Sequence, residues 1–110
     1  MSFSSEAIAL APAWYGRLGE PSGTTMNDSS GNARHGTYEN SAILGATGLL
    51  VGDSDTAIAP TVGNGIGIVA DAAWMDVTAI SLVALIKVTA GSTNRGIISR
   101  FTSGGNASFL

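Results

Sequence analysis

Residues 14–38 read WYGRLGEPSGTTMNDSSGNARHGTY, and the fold is decided by how this stretch is read. Trp14-Tyr15 opens an aromatic strand running to Leu18, with Trp14 and Leu18 on one face and Tyr15 and Arg17 on the other. Glu20-Pro21-Ser22-Gly23 is a turn, Pro21 having its φ already set for the second turn position. The polar run Asn27-Asp28-Ser29-Ser30-Gly31-Asn32 is rich in side chains that bond their own backbone, so a compact loop is expected there. His35-Gly36-Thr37-Tyr38 returns the chain to a strand.

Short strands and turns continue outward from this unit. Pro12 breaks the apolar run Ala7–Leu10, which reads as an edge strand or a short helical turn. Gly36–Tyr38 and Ala42–Leu44 flank a turn at Glu39-Asn40. Ala57-Ile58-Ala59 is a strand ended by Pro60, and Gly63-Asn64-Gly65 is a hairpin-type turn before a strand at Ile66–Val69. Asp71–Asp76 is a connection with a helical turn. The run Thr78–Thr89 is apolar on both faces, of strand length and enriched in Val, Ile and Thr. It is expected as a central strand covered on both sides. Ala90–Asn94 is a loop, Arg95–Phe101 a strand, Thr102–Gly105 a turn, and Asn106–Leu110 begins a further strand. Turn signals every ten residues or so are the spacing of an all-β antiparallel β-sandwich or jelly roll.

Composition limits the function classes. The 110 residues suffice for one small domain. Glycine reaches 15 of 110, about double its usual share, which fits many tight turns. Only 12% of residues are charged and the net charge is -3. Arg17, Arg34, Lys87, Arg95 and Arg100 are scattered, so no basic stripe exists to neutralise phosphates, and nucleic acid is not an expected partner. With no cysteine there is no disulfide, thiolate metal site or thiol nucleophile. Ala7–Ala13 is short and interrupted by Pro12, and no basic segment precedes it. Neither a signal peptide nor a transmembrane segment is expected.

The order Trp14-Tyr15, Arg17-Leu18-Gly19-Glu20, Ser22-Gly23-Thr24, Asp28-Ser29-Ser30-Gly31-Asn32, His35-Gly36-Thr37-Tyr38 resembles the N-terminal signature of laminin-G-like, concanavalin A-like jelly-roll domains. Leu44-Gly45, Asp53–Ala57, Ser81–Lys87 and Ile97–Arg100 resemble later parts of that family in the same order. The chain departs from the pattern at the inserted Gly16, at Ala59-Pro60-Thr61 where Phe-Asp-Gly is usual, and at Leu85 where a tryptophan is usual. The resemblance implies a jelly-roll domain over residues 13–110, preceded by an N-terminal arm or edge strand at 1–12. The family usually runs longer, so the resemblance implies that the sheet is shorter than usual, that the chain is a fragment incomplete at its C-terminal side, or that another chain completes it. Such domains occur in phage tail and virion proteins and in bacterial secreted proteins.

The candidate sites are few. Asp28 and Asn32 could hold calcium, since carboxylate, amide, hydroxyl and carbonyl oxygens gather there. The spacing from Asp28 through Ser30 and Asn32 to Glu39 matches a calcium loop, but Ala33 stands at its glycine position and flanking helices are not expected. The plainer reading is a self-bonded turn pinning two strands. Asp53 and Asp55 read as a solvated corner. His35, the only histidine, is expected to be structural, because no nucleophile elbow accompanies it. No glutamate pair sits close on one strand as a glycosidase requires, so an enzyme is not expected. Trp74 and Tyr38 are the candidate glycan-stacking residues, while Trp14 reads as core packing.

Three functions are expected in descending order. The first is a structural or adhesion module of a virion or cell surface, assembling as a homo-oligomer or with other chains. The second is a carbohydrate-binding module, with calcium the one cofactor left open. The third is a remnant glucanase. The first two place the protein in a virion or extracellularly.

Overall fold

A run of short extended segments interrupted by polar loops is what the sequence dictates, and the computed structural model consists largely of these. It describes residues 2–59, 67–88, 97–102 and 105–108, with the paired strands at 99–102 and 105–108 described as backbone. Two units are distinguished, Met1–Ile80 and Ser81–Leu110.

The first unit opens with helix α1, Phe3–Ala9. Ser2 caps it: its side chain accepts from the Ser5 N–H, and the Ser5 side chain accepts in return from the Ser2 N–H. Seven residues form a marginal helix in isolation, and this one has no buried residue, so the cap is its main local support. The sequence left Ala7–Leu10 open between an edge strand and a helical turn; the serine caps settle it as helix.

Strands β1 (Thr25–Met26), β2 (Gly36–Tyr38) and β5 (Gly67–Ile68) form an antiparallel sheet in the order β1-β2-β5. Thr25 lies opposite Thr37 and Met26 opposite Gly36, while Thr37 and Tyr38 lie opposite Ile68 and Gly67. Side chains of a strand alternate between faces. Gly36 and Tyr38 are therefore buried together on one face while Thr37 is exposed. Met26 packs on that face over both glycines. A Cβ at Gly36 would meet Met26 Cε and stand 2.5 Å from the Ile68 carbonyl oxygen. Gly36 is needed for this close approach, not for an unusual φ.

Strands β3 (Ile43–Ala46) and β4 (Ala57–Ala59) form a second antiparallel pair, with Ile43 opposite Ala59 and Ala46 opposite Ala57. Three steps of β3 match two of β4, so β3 carries one extra residue. Gly45, at φ 71°, takes the left-handed backbone that such a bulge uses. Between β2 and β3 the chain reverses at Asn40 and Ser41, both with positive φ, and the Ala42 N–H donates to the Glu39 carbonyl at 3.3 Å. This is the turn expected at Glu39-Asn40. The helical turn expected within Asp71–Asp76 is the 3-10 helix Ala73–Met75.

Two strand expectations fail. Trp14–Leu18 is not a strand. It makes one antiparallel bridge, Gly16 to Asp28, with the Ser29 N–H on the Tyr15 carbonyl at 2.7 Å. Leu18, at φ 59°, leaves the extended region and ends any further pairing. Thr78–Thr89 is not a central strand: no strand is present through residues 78–88. Its large apolar side chains are mostly exposed, Val83 by 81%. An apolar run on both faces needs a cover on each, and the second unit supplies neither among the described residues.

That second unit contains β6 (Ser99–Thr102) and β7 (Gly105–Ser108), an antiparallel pair from Ser99 opposite Ser108 to Thr102 opposite Gly105. These correspond to the strands expected at Arg95–Phe101 and Asn106–Leu110. The turn at Gly63-Asn64-Gly65 and the loop Ala90–Asn94 lie outside the described residues. Helix is confined to α1 and the 3-10 turn among the described residues, and the rest is small antiparallel sheets and coil. No described helix is long and apolar enough to cross a membrane.

Candidate functional site

The Asp28 loop lies between β1 and β2, so the pairing of Met26 with Gly36 holds both its ends. Asp28 is the one polar side chain buried among the described residues, at 8% exposure. Its Oδ1 accepts from the Tyr15 N–H at 3.0 Å and the Ser30 N–H at 2.9 Å. Its Oδ2 accepts from the Ser30 hydroxyl at 2.8 Å and the Arg34 N–H at 3.0 Å. Burial alone would raise the Asp28 pKa. The bonds from Tyr15, Ser30 and Arg34 favour the anion and outweigh burial, bringing it from 3.8 to about 2.

Neighbouring groups close the loop. The Asp28 N–H donates to His35 Nδ1 at 3.1 Å, which leaves the proton of a neutral imidazole on Nε2. Asn32 Nδ2 donates to the Ser30 hydroxyl oxygen at 2.9 Å and to the carbonyls of Pro12 and Ala13 at 3.3 and 3.2 Å. Asp28 and Asn32, the pair considered for calcium, are thus joined through Ser30. Both Asp28 oxygens are occupied by N–H and O–H donors, and Asn32 turns its amide nitrogen toward the chain. Among the described residues no three His, Asp or Glu side chains gather as a metal-binding group. The hydrogen bonds are those of the self-bonded turn.

Arg34 draws further segments onto the loop. Its guanidinium donates to the Ala13 carbonyl at 2.7 Å and lies 4.4 Å from the centre of the Trp74 ring. Its own carbonyl accepts from Trp14 Nε1 at 2.9 Å. One residue thereby binds the Ala13-Trp14 segment, the Asp28 loop and the 3-10 turn. A cation over an indole contributes about 0.5–1 kcal/mol where solvent is present. Trp74 is half-buried, with that cation against its ring.

The other candidate platform, Tyr38, is buried at 6% exposure. Its hydroxyl donates to Glu20 Oε2 in a short hydrogen bond, while Glu20 Oε1 accepts from the N–H and Nδ2 of Asn27 at 2.9 and 3.0 Å. Burial pushes the Tyr38 hydroxyl pKa up, and donation to Glu20 pushes it further. For Glu20, burial acts upward but the bonds from Tyr38 and Asn27 prevail and hold its pKa below the ordinary carboxylate value. With its ring enclosed and its hydroxyl engaged, Tyr38 has no open face for a sugar in this conformation.

Elsewhere the Arg17 guanidinium pairs with Asp55, its Nε lying 2.7 Å from Oδ2. The Asp55 N–H donates to Asp53 Oδ1 at 2.9 Å, so the acidic corner is a turn tied to a cation. Arg17, Glu20 and Arg34 were not singled out as anchors by the sequence. Their partners lie 38, 18 and 21 residues away, and nothing in the local pattern reports such a contact. An open hollow of about 280 Å³ is lined by Ser2, Phe3, Leu50, Val51, Gly52 and Asp53. In chemical terms the Asp28 cluster is a fastener. The carboxylate contacts the Ser30 hydroxyl, and the imidazole contacts a main-chain N–H. No protein-family model, curated protein or solved structure matches the chain.

Proposed function

We propose that this chain is a non-enzymatic structural or adhesion module that assembles with other chains at a virion or cell surface. In this reading its small sheets are parts of a laminin-G-like, concanavalin A-like jelly-roll sandwich. One observation carries it: the most apolar stretch, Ser81–Val88, is mostly exposed and pairs with no strand among the described residues. Val83, Leu85, Ile86 and Val88 are each about half exposed or more. Fully burying one such side chain contributes about 1.5–3 kcal/mol, so covering four that are already partly shielded is worth on the order of 5 kcal/mol. That is comparable with the whole stability of a small domain. A strand-forming segment with this much to gain is suited to receiving strands or a sheet face from a neighbour.

Size-exclusion chromatography with light scattering tests the reading, comparing the protein with its Leu85→Lys variant. We expect a discrete oligomer for the parent chain and a shift toward monomer for the variant, with both folded by circular dichroism. A monomer at high concentration whose 81–88 amides are strongly protected from hydrogen exchange would overturn it, because the segment would then be covered within its own chain.

A further inference from the structure

We draw no further inference here: the strongest candidate, the exposed apolar stretch Ser81–Val88 of the second unit, already carries the assembly reading above, and nothing in the structure shows what covers it.

Discussion

Replacing Asp28 with asparagine keeps the side chain's shape and removes its charge, and the hydrogen bonds around it set the cost. Asparagine Oδ1 can still accept from the Tyr15 and Ser30 N–H groups that Asp28 Oδ1 serves. Its Nδ2 must then face the Arg34 N–H and the Ser30 hydroxyl that Asp28 Oδ2 accepts from. The Ser30 hydroxyl oxygen already accepts from the N–H and Nδ2 of Asn32, and the Arg34 N–H can only donate, so each meets another donor. An unsatisfied buried donor costs about 1–3 kcal/mol. The depressed pKa of Asp28 arises from these same hydrogen bonds and restates their worth in terms of pH. A carboxyl brought from 3.8 to about 2 stabilises the fold by roughly 2 kcal/mol at neutral pH. The folded value is depressed, so this stability is fully present above about pH 4 and is lost as pH falls toward 2. The cost is thus about 2 kcal/mol, equivalent to a melting point lower by roughly 8–16 °C for a domain of this size. Urea denaturation followed by the fluorescence of Trp14 and Trp74 would measure it. We expect the variant to be less stable by that amount at pH 7, and the gap to close between pH 4 and pH 2 as the parent's own carboxylate is protonated. A gap below about 0.5 kcal/mol at pH 7, or one that does not change with pH, would refute the reasoning.

Further outcomes follow from the same geometry. Ala33 sits at φ 55°, a backbone that costs a non-glycine residue about 1 kcal/mol, so Ala33→Gly should raise the melting temperature by a few degrees after the entropy of the unfolded glycine is counted; thermal unfolding would show it, and a fall would mean that Ala33 is not strained. Gly36→Ala should lose about 1–3 kcal/mol, because the added methyl meets the Ile68 carbonyl and Met26; an unchanged denaturation midpoint would mean that β2 and β5 do not approach so closely. Millimolar calcium should leave the melting temperature within a degree of that in chelator, since protein donors already fill both Asp28 oxygens. A dose-dependent rise would instead place the ion in the folded state, because a ligand of the native state must stabilise it.

Local chemistry was readable from the sequence, and long-range contact was not. Ala57–Ala59 is the strand expected from its short apolar run. The reversal at Glu39-Asn40 and the helical turn within Asp71–Asp76 were legible because turn residues act on the backbone beside them. The dense loop from Asn27 to Asn32 read as self-bonded, and Asp28 and Ser30 bond as such a loop does. Helix α1 escaped a firm reading because Ser2 with Ser5 is a weaker signature than a serine followed by glutamate at the third position. Strand β1, two residues long, was missed because Thr25-Met26 shows no alternation; the opposing Gly36 gives it its partner. Trp14–Leu18 has the alternation, but the backbone at Leu18 departs from it.

The contrast between the Asp28 loop and Ser81–Val88 explains why the sequence misjudged the second while reading the first well. In the loop, the groups that need satisfying lie within a few residues of the groups that satisfy them. Asp28 finds Ser30 two positions away and Arg34 six positions away. The additional anchors, Pro12, Ala13, Trp14, Tyr15 and Trp74, come from farther along the chain. In Ser81–Val88 there is one titratable side chain, Lys87, and no self-bonding polar residue beyond Ser81. What the segment needs is apolar area on two faces and backbone partners on two edges, and the segment's own residues supply neither. Strand propensity therefore states only what the segment would do if covered. The all-β character rests on the small antiparallel pairs. In the proposed assembly the open term is what Val83, Leu85, Ile86 and Val88 meet. The Leu85→Lys comparison acts on that term alone, since a lysine at an exposed position costs the isolated chain little and costs a covered interface the burial of an unpaired charge.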